Sequence, residues 1–114
     1  MKKKTLLFCF FVIMVLNANT QQGGFTGPGL QAVTVEQAKT FRDNTPVLLQ
    51  GKIIQFMGDE KYLFEDNTGT ITVEIDDRLW RGISIDENDM VEIVGEVDKS
   101  FRKIEIEVDS IRKL

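Results

Sequence analysis

Histidine is absent from all 114 residues. That removes the side chain whose ordinary pKa lies nearest neutrality and the commonest general base. Cysteine occurs once, as Cys9, inside the apolar stretch Leu6 to Leu16 near the N-terminus. If that stretch is removed, the remaining chain can form no disulfide, thiol nucleophile or cysteine-based metal site. Basic residues are the next shortage, with 14 Lys and Arg against 18 Asp and Glu. No apolar run reaches the roughly 20 residues that a membrane-spanning helix needs.

What is present begins with a targeting pattern. "MKKK" supplies a basic start, "LLFCFFVIMVL" an apolar core, and "NANTQQ" a small, polar exit. This order predicts a secretory signal peptide cleaved near Ala18 to Thr20, with residues 1–20 removed. The competing reading is an uncleaved anchor. Cys9 is not expected to carry lipid, because Phe8 precedes it and the apolar run has barely begun. Loss of Lys2, Lys3 and Lys4 leaves 11 basic against 18 acidic residues, a net charge of −7. Such a balance opposes nucleic-acid binding, which draws its affinity from neutralised phosphates, and favours cationic partners.

Residues 21–33 form a second segment. "QQGGFTGPG" holds four of the nine glycines and one of the two prolines. A phosphate-binding loop would follow a strand and open a helix, and this stretch does neither. It reads as the start of the mature protein, with Phe25 as a candidate anchor.

Residues 34–114 carry the patterned domain. "TVEQAKTFRD", Thr34 to Asp43, predicts a short helix: Thr34 and Gln37 form a capping box, and Val35, Ala38 and Phe41 recur at helical spacing. From Val47 the period becomes two. Val47, Leu49 and Ile53 share one side of a strand with Gly51 at a bend. Tyr62 and Phe64 share a face of the second, and Ile71, Val73 and Ile75 line the third. "DRLWRGI" predicts a helical turn capped by Asp76 or Asp77 and ended by Gly82. Val91, Ile93 and Val97, then Ile104, Ile106 and Val108, point inward from a final hairpin, with Gly95 mid-strand. Five strands with a helical turn between the third and fourth predict an all-β fold, a five-stranded OB-fold Greek-key barrel with an extra N-terminal helix. An SH3-like barrel is the alternative, though its helical turn falls before the last strand.

The stretches "GGFTGP", "TVEQAKTFRD", "LQGKI", "YLFEDNTGTITVEID", "LWRGI" and "DMVEIVGEVDKSFRKIEIEVDSIRKL" together resemble the YgiW/YdeI-type bacterial OB-fold (BOF) family. The resemblance implies an exported periplasmic protein with a role in envelope stress tolerance. It implies no catalytic residues, because the family has none agreed.

The residues themselves fit binding better than catalysis. Glu74 with Asp76, and Glu105, Glu107 and Asp109, are carboxylates sharing strand faces. A pair of this kind can run glycoside hydrolysis, yet outward acids are also how a sheet keeps its wet side soluble. Their rows suit diffuse attraction of metal cations or cationic peptides rather than a coordination cage, so no metal site and no cofactor is expected. The default ligand surface of the fold is the outward face of its second and third strands and the adjoining loops "MGDEK" and "DKSFR". The candidate ligand-binding residues are therefore Lys61, Glu65, Thr72, Glu74, Asp76 and Phe101. Trp80 is expected to stopper the barrel. The expected partner is a small molecule, glycan or envelope component. The alternative is an acidic module that docks on a cationic peptide or an outer-membrane protein.

Overall fold

A computed structural model describes residues 29–114. The basic leader, Cys9 and Phe25 lie outside these residues. The described elements are β1 (Ala32–Val33), α1 (Val35–Ala38), β2 (Pro46–Gly58), β3 (Lys61–Asp66), β4 (Gly69–Glu74), a 3₁₀ turn (Asp77–Trp80), β5 (Val91–Lys99) and β6 (Ile104–Lys113).

The sheet runs β1-β2-β3-β4-β6-β5, and β5 returns to pair with β2. β4 and β6 run parallel, while the other barrel pairs are antiparallel. This is the closed five-stranded connectivity of an OB barrel. Closure depends on β2 changing partners midway: Pro46 to Gly51 pair with β5, and Lys52 onward pair with β3. Gly51 stands at that changeover, where a β-carbon would strike the Glu65 carbonyl oxygen and the Phe64 ring. Gly95 does the same work in β5, lying so close to the Glu107 carbonyl oxygen and the Val108 backbone that no side chain fits. Both glycines permit the tight coiling a small barrel requires.

Alternation then fills the interior. Val47, Leu49, Ile53, Phe64, Ile71, Val73, Ile75, Val91, Ile93, Val97, Ile106 and Val108 are all buried. Each falls on the inward face that its period-two spacing assigns. Val35 and Ala38 of α1 join the same core and are fully covered.

The N-terminal helix is real but shorter than the pattern over residues 34–43 predicts. Thr34 caps it, with its hydroxyl accepting from Gln37 N and the Gln37 side-chain oxygen accepting from Thr34 N. After Ala38 the hydrogen bonds tighten to three-residue spacing, from Thr40 N to the Gln37 carbonyl and from Phe41 N to the Ala38 carbonyl. The Thr40 hydroxyl also donates to the Gln37 carbonyl, which competes with a continued helix. Asn44 then adopts a left-handed conformation, φ 69°, and turns the chain into β2. The helix is clamped to the β3–β4 turn: Val35 N donates to Asp66 Oδ2 at 2.8 Å and Glu36 N to the Thr68 hydroxyl at 3.1 Å. β1, which no alternation announced, lies parallel to β2 through Ala32–Leu48 and Val33–Leu49.

Candidate functional site

Two surfaces compete for a ligand. The first is the outward face of β3 and β4 that the sequence singles out, with β6 alongside β4. Lys61 at the start of β3 reaches across β4 to Glu105, with Nζ 2.8 and 3.0 Å from its two carboxylate oxygens. Lys103 approaches the same carboxylate at 3.5 Å. Glu105 is the one buried charged residue among those described. Burial pushes its carboxyl pKa up, but the Lys61 hydrogen bond and the charges of Lys61 and Lys103 outweigh that and hold it below the usual range. The Lys61 ammonium is correspondingly raised, chiefly by its hydrogen bond to Glu105. Thr72 sits beside Glu105 in register, and Glu74 stands opposite Lys61 and next to Glu107. Glu65 is exposed near the far end of β3, opposite Lys52 and Thr70.

Asp76 does not belong to this face. It lies past the end of β4 and caps the 3₁₀ turn, accepting from Arg78 N at 2.9 Å. Arg78 also grips it through Nε and Nη2, at 2.9 and 2.8 Å, and these bonds hold its pKa down to about 2. Phe101 stands outside the strand face, at the tip of the β5–β6 hairpin. Of the six candidates, then, Lys61, Thr72 and Glu74 cluster, while Glu65, Asp76 and Phe101 stand apart.

The second surface is a cleft of about 490 Å³ where the end of β2 meets the segment after the 3₁₀ turn. The β2–β3 register slips between Ile53 and Gln55, a bulge that resets the alternation. Phe56 therefore stands opposite Tyr62, with ring centres 5.1 Å apart. Tyr62 in turn meets Trp80 edge-on at 5.4 Å and 62°. Gly82, at φ 74°, turns the chain back after the helical turn, and Ile83 and Ile85 beyond it line the same cleft. Asp86 and Glu87 form the rim. The loop carrying them is self-braced, with Asp86 N donating to Asp89 Oδ2 and Asn88 N to Asp86 Oδ1. Phe56 is 63% exposed. Trp80 packs against the core and lines the cleft as well, so it is more than the stopper its position predicts. Its indole N–H is buried and has no acceptor among the described residues.

The arrangement is an apolar, aromatic floor with a polar rim, the usual build of a small-molecule site. Among the described residues, no three His, Cys, Asp or Glu side chains converge as a metal site. No described helix is long and apolar enough to cross a membrane.

A closed five-stranded barrel with a 3₁₀ turn between its third and fourth strands defines an OB-fold protein. The family model for the Bacterial OB fold (BOF) protein matches residues 14–113, and the chain belongs to that family. It is 47% identical over 107 residues to Protein YgiW of Escherichia coli K12, covering 82% of each chain. It is 38% identical over 94 residues to the calcium-regulated OB-fold protein CarO of Pseudomonas aeruginosa, covering 81% of each. The solved structure of E. coli ygiW superposes with a TM-score of 0.74 at 48% identity, over 82% of this chain and all of that one. The telomere capping protein Ten1 of Saccharomyces pombe, at 16% identity, 75% of this chain, 81% of that one and a TM-score of 0.57, shares the fold alone.

Proposed function

We propose that this chain is a non-enzymatic binding protein of the periplasm that contributes to envelope stress tolerance by holding a small molecule or glycan in the Phe56–Tyr62–Trp80 cleft. The observation that carries the reading is the run of three touching rings that opens to solvent at Phe56. Rings in this arrangement offer area to a sugar face or an apolar body, and Ser84, Asp86 and Glu87 offer hydrogen-bond partners at the edge. The basic leader and the apolar run that follows it support export. The lack of histidine, and of cysteine beyond Cys9, supports a role without covalent chemistry.

A second reading is a docking face for a cationic peptide or an outer-membrane protein. It is favoured by Glu74, Glu107 and Glu96, which stand side by side across β4, β6 and β5. The same row opposes a polyanion, so single-stranded nucleic acid is not the expected partner.

An isotope-labelled sample of the processed protein, screened by NMR against soluble oligosaccharides, metabolites and cationic peptides, separates the readings. Shifts confined to Phe56, Tyr62, Trp80 and residues 83–87 support the cleft. Shifts at Glu74, Glu96 and Glu107 on adding peptide support the acidic face and overturn the first reading.

A further inference from the structure

The charge pattern of the molecule reverses at the tip of the β5–β6 hairpin. In a chain of net charge −4, Lys99, Arg102 and Lys103 gather within five residues around Phe101. Phe101 is 97% exposed, more than any other large hydrophobic residue among those described. The turn that presents it is built, not loose. Ser100 N donates to the Lys103 carbonyl at 2.9 Å, and the Ser100 hydroxyl oxygen accepts from Arg102 N and Lys103 N, both at 3.3 Å. The base of the hairpin is braced as well, with Lys99 Nζ on the Phe41 carbonyl at 2.8 Å and Lys99 N on Asp43 Oδ1 at 2.7 Å. The Arg102 guanidinium carbon lies 5.9 Å from the centre of the Phe101 ring. The acids nearby are Asp98, Asp43 and Glu105; Asp43 receives the Lys99 amide, and Glu105 is held by Lys61 and Lys103.

We propose that this tip is a membrane-contact point: Phe101 enters the interface of an anionic phospholipid bilayer while Arg102 faces the lipid phosphates. An aromatic ring at the boundary between headgroups and acyl chains, flanked by cations, is the physical recipe for interfacial attachment. The acidic remainder of the barrel is repelled by the same surface, which leaves the tip as the point of approach. A polynucleotide fits less well, because Phe101 is a single ring and the adjoining sheet carries Glu74, Glu96 and Glu107. The contact is independent of the aromatic cleft.

Cosedimentation of the processed protein tests this, with vesicles of phosphatidylcholine alone or containing about one third phosphatidylglycerol. Binding only to the anionic vesicles, weakened by salt, is expected. Phe101→Ala should lower the partition coefficient roughly tenfold, and Arg102→Gln roughly fivefold. Phe101→Trp should keep binding and shift its emission to the blue on the anionic vesicles alone. The exposure of Phe101 means none of these variants should alter thermal unfolding. Equal partition of the wild type and Phe101→Ala, or equal binding to both vesicle types, overturns the proposal. So does tip-dependent binding of short single-stranded DNA without vesicle binding.

Discussion

The acidic sheet face and the aromatic cleft are built from opposite kinds of sequence, and they differ in what is left unpartnered. On the face, one buried carboxylate has found its partners, Glu105 with Lys61 and Lys103, while Glu74 and Glu107 beside it make no ion pair among the described residues. On the floor of the cleft the side chains are neutral, yet Phe56 stands in solvent and the Trp80 indole N–H has no acceptor among the described residues. Charge draws attention in a sequence, but a satisfied ion pair is structure. An exposed ring beside a hollow is a better pointer to a ligand.

Substitutions can break this comparison, and the largest effects should come from the wall beneath both regions. Phe64→Ala should cost about 3–5 kcal/mol in urea unfolding, since the ring is fully buried. Gly95→Ala should cost about 3 kcal/mol, because the new methyl group meets the β6 backbone, which cannot yield as a side chain would. Lys61→Gln should cost about 1–2 kcal/mol: it strips the main partner from a buried carboxylate, but Lys103 remains and Lys61 is itself partly exposed.

The same pair sets a pH dependence. The carboxyls of Glu105, Asp66, Asp89 and Glu92 all have folded pKa values below their ordinary ones. Asp66 is held down against its own burial by hydrogen bonds from Thr68, Val35 and Gly69. A depressed carboxylate stabilises the fold above its unfolded pKa, and that contribution is lost as pH falls through the folded value. The urea midpoint should therefore hold near neutrality and decline below about pH 4. Lys61→Gln should make that decline shallower, because the larger part of the Glu105 share is lost with Lys61.

Phe56→Ala should have a small effect on stability, within about 0.5 kcal/mol of wild type, because the ring is mostly exposed. The comparison is sharpest there: a residue nearly silent in unfolding should be costly in binding, whereas Lys61 should be costly in unfolding and silent in binding.

The barrel was legible because its strands are half-buried and alternate cleanly; Ile71, Val73 and Ile75 could face only inward. Gly51 and Gly95 marked the bends for the same reason, as small residues where branched ones are the rule. The helix boundary was less legible, since Phe41 keeps the spacing while the backbone has already tightened after Ala38. The cleft was hidden by the bulge near Ile54, which switches the parity of β2 and pairs Phe56 with Tyr62. Period-two reading carries no sign of such a slip. Asp76 was legible as a cap and misleading as a face residue, because the strand stops at Glu74. The rows of carboxylates were plain in sequence, but their pairing with Lys61 from another strand depends on the barrel closing.

Trp80 is the only tryptophan in the chain, so its indole N–H gives a single reporter at the centre of the cleft. Following that resonance while the protein is titrated with soluble oligosaccharides, metabolites and cationic peptides tests the central claim most directly. The account predicts that a binding compound moves the Trp80 indole and Phe56 signals together, and that Phe56→Ala weakens the response about tenfold. Binding that shifts Glu74, Glu96 and Glu107 while the indole signal stays still would contradict it.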